Sequence, residues 1–135
     1  MTLHVSLVVP EGEVWAGEAD RVIAKTLDGD IGLLTGHTPV LGILAPGSVV
    51  RILPVDFASS GDWVQAAVGG GFLSVADDKV SILARQAILG ADVDSRTTRA
   101  DLEEAMAEAV TSGEGDDSHH VRYLRARLRA AGEDA

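Results

Sequence analysis

The sequence predicts an antiparallel β-sandwich followed by a C-terminal hairpin of two helices. From position 3 to 84, apolar and polar residues alternate, and Gly, Pro and Asp interrupt the alternation at short intervals, as in all-β sandwiches and barrels. After Gly90 the apolar spacing lengthens to the three or four residues of a helix. We therefore expect a β-domain over residues 1–88 and a helical hairpin, able to move, over residues 89–135.

The strands follow one another from the first residues of the chain. Four apolar residues at alternate positions give the first strand one buried face: Leu3, Val5, Leu7 and Val9. Turn residues then separate further strands, which we predict over 14–16, 21–26, 40–44, 48–53 and 63–68. The Pro46-Gly47 dipeptide marks a turn between two of them.

Three consecutive glycines, 69–71, stand directly before Phe72. A phosphate-binding loop would need a helix N-terminus after the glycines. Alternating strand residues follow instead, with a turn at 77–79 and a second strand from Val80. We predict a β-hairpin here, in which the glycines let the backbone bend or approach a neighbouring segment closely.

Two helices are predicted in the tail. Asp94 or Ser95 can cap the first, over 98–110, which places four apolar residues on one stripe: Leu102, Met106, Ala109 and Val110. The second, from about 118 to 131, has a seam of Val121, Leu124, Leu128 and Ala131. Each is close to the length of roughly 12–15 residues at which isolated helices are marginal, so both depend on packing.

Composition excludes several classes of protein. The formal charge is −10, which argues against nucleic acid as a partner, because phosphate binding needs clustered Lys and Arg. Without cysteine there is no disulfide or thiol chemistry. No apolar run reaches the roughly 20 residues of a membrane span, and no signal pattern opens the chain, so we expect an intracellular protein. The acidic segment 91–117 and the basic segment 118–131 suit a hairpin that pairs with itself.

Two segments resemble blocks of one family. Residues 69–84 (GGGFLSVADDKVSILA) are similar to two glycines, Phe and a Val-x-Ile-Leu-Ala strand in the epsilon subunits of bacterial F-type ATP synthases. Residues 28–39 (DGDIGLLTGHTP) resemble that family's block of an acidic residue, an apolar residue, Gly and then Gly-His-x-Pro. The resemblance covers nearly the whole chain and is firmest over 3–90.

The resemblance implies a non-catalytic subunit of the rotor's central stalk. It would join the gamma subunit to the ring of membrane c subunits, so that the chain lies peripherally at the cell membrane, on its cytoplasmic side. The C-terminal helices would restrain ATP hydrolysis by contacting the alpha and beta subunits of the catalytic head. Attachment to gamma would use one sheet face, so some apolar strand residues should be exposed.

The resemblance also assigns residues. Asp30 and His37 fall on positions that contact the membrane ring, and we expect both on the surface, near one another and remote from the helices. The second helix carries the inhibitory candidates, with Arg127 apart from a shared face of the other three: Arg122, Arg125, Arg127 and Arg129. These arginines would face acids of the first helix in a compact form and acids of the catalytic head in an extended form.

ATP is a further possible ligand in this family. Its motif, apolar-Asp-x-x-Arg-Ala, begins here at Val93-Asp94, but Arg99-Ala100 comes two residues late. Each helical residue advances 100°, so Arg99 would point elsewhere, which argues against nucleotide binding. If ATP binds, the candidates are Asp94 and Arg99, with Arg96 or an arginine of the second helix as a substitute phosphate donor.

Simpler interpretations of the same residues are also open. His37 is also explained as a turn histidine bonded to nearby backbone, and the arginines as solvated charges with weak surface pairs. Asp116-Asp117 with His119-His120 match no known metal-ligand spacing, so we expect no metal there, and we find no catalytic constellation. The alternative function is a small-ligand-binding sandwich capped by its helices, which an apolar cavity with convergent polar groups would favour.

Overall fold

The computed structural model of the chain describes residues 2–55, 62–112 and 118–133. Within these described ranges, nine strands precede two helices, with a 3-10 turn at Gly90–Asp92 between them. The strands are β1 Leu3–Val9, β2 Gly12–Thr26, β3 Gly29–Leu33, β4 Val40–Ile43, β5 Ser48–Pro54, β6 Val64–Val68, β7 Gly71–Ala76, β8 Lys79–Ala84 and β9 Ala87–Leu89. The helices are α1 Ser95–Ser112 and α2 His119–Ala130. None of the described helices is long and apolar enough to cross a membrane.

The strands form a sandwich, as predicted. Their order is β4-β7-β8-β1-β2-β5-β6-β9, with β3 beside β2. Strand β2 connects the two parts of the sheet. Its N-terminal part pairs with β1, and its C-terminal part pairs with β3 and β5. All pairs are antiparallel except β1 with β8, which is parallel. The strands on both sides of β2 contribute side chains to the same aliphatic core.

Strand β2 corrects the sequence analysis, which predicted two short strands over 14–16 and 21–26. The break was placed at Gly17, Glu18 and Asp20, which have poor strand propensity. Gly17 and Glu18 still pair, opposite Val5 and His4 of β1, and Asp20 lies at a register shift between β2 and β5. Two strands were missed altogether, β3 and β9. Both are short, and β3 contains two glycines, which hide its alternation.

The glycine run begins a strand rather than a phosphate loop. Gly71 is the first residue of β7, and a Cβ atom there would overlap the carbonyl oxygen of Leu83 in the paired strand β8. The hairpin turn lies at Asp77 and Asp78, both with positive φ, as the tight turns of hairpins require. The predicted hairpin and the predicted role of the glycines are confirmed.

Helix α2 lies between the sheet and α1. One side of it, with Tyr123, Ala126 and Ala130, packs on Ala67 of β6. The other side, through Val121 and Leu124, packs on α1. Because both sides are covered, α2 buries more residues than the single predicted seam. The seam itself is confirmed at three positions, Val121, Leu124 and Leu128.

Helix α1 extends beyond its predicted range of 98–110 at both ends, and its apolar stripe differs from the predicted one. Val110, predicted on the apolar stripe, is 73% exposed. The stripe that contacts α2 consists instead of Leu102, Ala105, Met106 and Ala109. These follow the i, i+3, i+4, i+7 spacing of one helix face, and Val110 lies beside that face. The start of α1 is capped by Asp94, whose Oδ1 accepts a hydrogen bond of 3.1 Å from the Thr97 amide.

Candidate functional site

A row of apolar side chains crosses the outer face of the sandwich. Ile43 of β4 lies opposite Phe72 of β7, and Phe72 lies opposite Leu83 of β8. Directly opposite residues of neighbouring strands point to the same face, so the three form one continuous row. Leu41 extends it along β4. We call these four residues the apolar strip.

The apolar strip is exposed although its neighbours form the core. Leu41 is 71% exposed, Phe72 43% and Leu83 39%, whereas Leu73 and Ile82 at intervening positions are fully buried. Because successive side chains of a strand point to opposite faces, one set of residues points into the core and the other points to the surface. An apolar patch left in water favours a protein partner. The prediction that some apolar strand residues are exposed is confirmed.

A second surface feature is a cleft between α2 and the outer face of the sheet. Its volume is about 760 Å³, and Arg122, Arg125 and Arg129 line it together, as their i, i+3, i+7 spacing requires. Nη2 of Arg129 donates a 3.0 Å hydrogen bond to the Gly47 carbonyl oxygen. Nη2 of Arg125 lies 3.9 Å from the Met106 sulfur. We call this the basic cleft.

Arg127 lies apart from the other arginines, as predicted. Its guanidinium carbon is 5.9 Å from the centre of the Tyr123 ring. Burial raises the pKa of the Tyr123 hydroxyl above its ordinary value of 10.0, and the nearby charge of Arg127 opposes that shift. Tyr123 is the single tyrosine of the chain, so its ionisation reports the docking of α2 alone.

A spectroscopic prediction follows for Tyr123. Because the folded pKa is raised, the stability that neutral Tyr123 contributes to docking should be fully present below pH 10 and be lost as the pH rises through the folded pKa. We expect phenolate absorbance of the native protein to appear at higher pH than in the same chain unfolded in urea. Coincident titration curves would show that α2 is not docked in solution.

Both ring-contact candidates lie at the surface, but they are not both remote from the helices. Asp30 is exposed at the start of β3, and His37 is half-buried in the loop beyond its end. Asp30 also lines the basic cleft with the α2 arginines. The expectation that it lies away from the helices is therefore wrong. The β2–β3 hairpin lies close to the β4–β5 turn, because the Ala45 amide donates a hydrogen bond to the Lys25 carbonyl oxygen. The β4–β5 turn contacts α2 at Gly47.

His37 has the local contacts of a turn residue. Its Nδ1 lies 2.6 Å from the Thr38 carbonyl oxygen, and its amide donates to the Leu34 carbonyl at 3.2 Å. The preceding amide, of Gly36, donates to the Asp78 carboxylate at 2.7 Å and ties this loop to the β7–β8 turn. The loop is thus held in place, with His37 partly exposed.

The nucleotide candidates are exposed at the start of α1. The Asp94 carboxylate caps the helix, and its hydrogen bonds with Thr97 hold its pKa below the ordinary value. Arg99 pairs with Glu133 at 3.6 Å between Nη2 and Oε1. Arg96 is exposed. Asp94 and Arg99 thus have structural partners. Asp116 and Asp117, where the sequence predicted no metal site, lie outside the described residues. Among the described residues there is no group of side chains that could hold a metal ion.

Sequence reasoning missed two glycines that set the position of α2. A Cβ atom at Gly47 would overlap the backbone of Arg122, and one at Gly90 would overlap the carbonyl oxygen of Ala130. Both glycines allow the helix backbone to touch the β-domain directly. Only the turn role of Gly47 carried a sequence signal, through the preceding proline.

Comparisons with known proteins agree over most of the chain. Residues 2–90 match the family described as "ATP synthase, Delta/Epsilon chain, beta-sandwich domain". A protein named ATP synthase epsilon chain from Thermobifida fusca is 52% identical over 130 residues, which is 96% of this chain and 91% of that one. The protein of the same name from Streptomyces coelicolor is 45% identical over 96% of this chain and 94% of its own.

Solved structures share the fold. A chain in the cryo-EM structure of the Euglena gracilis mitochondrial ATP synthase, OSCP/F1/c-ring, superposes with a TM-score of 0.69 at 20% identity, covering 97% of this chain and 79% of that one. One in the central stalk/c-ring structure of the Tetrahymena thermophila mitochondrial ATP synthase gives 0.57 at 18% identity, with 92% and 94% covered.

Proposed function

The chain belongs to the ATP synthase epsilon chain family, and on that premise we propose that it couples the gamma subunit to the membrane ring of c subunits and restrains ATP hydrolysis. As an epsilon subunit it is a non-catalytic part of the synthase and is associated with the membrane through that complex. We place it on the cytoplasmic side. The chain's own contribution is to present surfaces to partners.

The apolar strip carries the proposal of gamma binding. Its four side chains lie in water on an otherwise well-packed sandwich, whose interior is filled by buried aliphatic residues. A ligand-binding sandwich would instead need an apolar cavity with convergent polar groups. The basic cleft is a surface feature, and nine of the sixteen described residues that line it are polar or charged. Size-exclusion chromatography of the chain mixed with gamma tests the proposal: a stable complex at micromolar concentration is expected, and its absence would contradict it.

The base of the sandwich is proposed to meet the membrane ring. Asp30 and His37 are both accessible, and a tied loop holds His37. A carboxylate and an imidazole at opposite ends of a short strand can bond the polar loops of neighbouring ring subunits. We retain both residues as ring-contact candidates, although Asp30 also borders the basic cleft.

Helix α2 is proposed as the inhibitory element. Its four arginines suit acidic segments of the alpha and beta subunits, but in the docked state Arg122, Arg125 and Arg129 line the basic cleft and Arg127 lies by Tyr123. Contact with the catalytic head thus requires the helix to leave the sheet. Inhibition is therefore in competition with docking.

Deleting residues 118–135 should raise ATP hydrolysis by the assembled complex severalfold. Converting Arg122, Arg125 and Arg129 together to Glu should act in the same direction, because like charges would then face the acidic partner. The matched control reverses three exposed arginines outside the cleft, Arg21, Arg85 and Arg96, with the same change in net charge. Hydrolysis that neither the deletion nor the cleft reversal raises would contradict the inhibitory role.

A further inference from the structure

The turn between β7 and β8 contains an aspartate where hairpins favour glycine. Asp77 and Asp78 have φ angles of 51° and 62°, in the left-handed region that L-residues rarely adopt. Two-residue hairpin turns of this kind favour Asn or Asp at the first position and Gly at the second. Asp77 fits that preference, whereas Asp78 occupies the position of the glycine. A left-handed side chain retained at a turn calls for a contact that glycine could not make.

The carboxylate of Asp78 makes such a contact. Its Oδ1 accepts a hydrogen bond of 2.7 Å from the amide of Gly36, which lies 42 positions away in the sequence. A hydrogen bond to an ionised acceptor is roughly twice as strong as one between neutral groups. Because glycine has no acceptor in its side chain, this bond gives a physical reason for an aspartate at position 78.

Asp78 is itself held on two sides by the sheet. The residues that flank the turn, Ala76 and Lys79, pair with each other across the β7–β8 hairpin. The carbonyl oxygen of Asp78 accepts a hydrogen bond of 2.8 Å from the amide of His4, near the start of β1. Groups supported by strands are placed more exactly than groups on loops. The carboxylate therefore offers the Gly36 amide a fixed point of attachment.

The loop at 34–39, which contains His37, has little other support. None of its six residues is buried, so packing contributes little to its position. Its other hydrogen bonds are local, from the His37 amide to the Leu34 carbonyl oxygen and between the His37 ring and the Thr38 carbonyl oxygen. Among the described residues, the bond to Asp78 is the one hydrogen bond that connects this loop to another element.

We propose that Asp78 is a positioning residue, which holds the His37 loop through the Gly36 amide in the orientation that binds the membrane ring. The proposal rests on the ring contact proposed above for His37 and adds a residue from a different hairpin. A loop that is ordered before binding loses less conformational freedom on binding, so it binds more tightly. Asp78→Gly removes the bond, and it also removes a left-handed side chain, which leaves the turn itself favourable.

Nuclear magnetic resonance of the full chain measures the bond directly. In Asp78→Gly we expect the Gly36 amide proton to exchange with solvent about tenfold faster or more, because a charged acceptor is lost. Asp78→Asn keeps an oxygen at the same place and should restore most of the protection. The matched control is Asp77→Gly, which removes a carboxylate and a left-handed side chain from the same turn but keeps the bond.

The control should exchange its Gly36 amide proton within about twofold of the wild-type rate, as surface substitutions without a specific contact do. Circular dichroism of each variant checks that the sandwich is folded. A folded Asp78→Gly chain in which Gly36 exchanges at the wild-type rate would overturn the proposal. So would an Asp77→Gly chain in which the exchange is accelerated equally.

Binding of the assembled gamma–epsilon complex to the isolated ring of c subunits measures the functional consequence. Asp78→Gly should weaken it about three- to tenfold through lost preorganisation, Asp78→Asn should restore most of the affinity, and Asp77→Gly should bind as the wild type does. His37→Ala separates the two proposals. If His37→Ala weakens binding and Asp78→Gly does not, the ring contact stands and the positioning role is overturned. If His37→Ala binds with wild-type affinity, the ring contact of His37 is wrong, and the positioning role with it.

Discussion

Replacing Phe72 by Glu should weaken the complex with gamma by about 30-fold to 1,000-fold. Phe72 is the middle residue of the row Ile43–Phe72–Leu83, and central aromatic residues dominate interface energies, at about 2–4 kcal/mol each. A carboxylate there would also be taken out of water without a partner. The isolated chain should still fold, because the side chain points away from the core. The measurement is the dissociation constant for gamma, by calorimetry or surface binding.

Val110→Glu provides the matched control for this substitution. Val110 is an exposed large apolar residue of α1, and it lies on the helical hairpin rather than on the strip. It gains the same carboxylate and should bind gamma as the wild type does. If Phe72→Glu folds and still binds gamma with wild-type affinity, the strip is not the attachment surface. If both variants lose binding, added charge rather than the strip is responsible.

The sandwich was predictable because its signal is local. Alternation alone identifies which residues of β1, β7 and β8 share one face, since the period of a strand is two residues. The division of β2 failed because Gly17 and Glu18 are poor strand residues whose pairing is imposed by neighbours. Likewise, β9 has only three residues, and its partner β6 defines it. These elements depend on contacts between distant segments, which local propensity does not contain.

The functional surfaces likewise include some that the sequence predicts and one that it does not. The arginine face of α2 was predictable from helical spacing, and so was the separate position of Arg127. The apolar strip was expected only in general terms, because alternation does not say which side of a sheet is the outside. The basic cleft was not predicted, since Lys25 and Arg51 join the helix only through the folding of the sheet.

Gly90→Ala should release α2 from the β-domain. The added Cβ atom would overlap the carbonyl oxygen of Ala130 and lie 2.6 Å from its carbonyl carbon, and both are backbone atoms that no rotamer change can move. Overpacking of this kind costs about 1–3 kcal/mol, which shifts the docking equilibrium by roughly five- to 150-fold. Gly90 has no positive φ, so the backbone conformation itself admits alanine.

Two measurements report the release of α2. The pKa of the Tyr123 hydroxyl should fall back toward its ordinary value, and trypsin should cleave α2 at its arginines faster than in the wild type. Gly32→Ala is the matched control, because a Cβ atom at Gly32 meets nothing within 4 Å and the residue lies in β3. A Gly90→Ala protein with wild-type Tyr123 titration and trypsin resistance would show that the helix backbone accommodates the methyl group.

The same variant separates docking from inhibition in the assembled complex. If α2 inhibits only after it leaves the sheet, Gly90→Ala should lower ATP hydrolysis, because more of the helix is available to the catalytic head. Deletion of 118–135 should raise it, because the helix is gone. The two changes act on one helix in opposite directions, which a loss of general stability could not produce. Hydrolysis raised by both would mean that docked α2, and not released α2, is the inhibitory form.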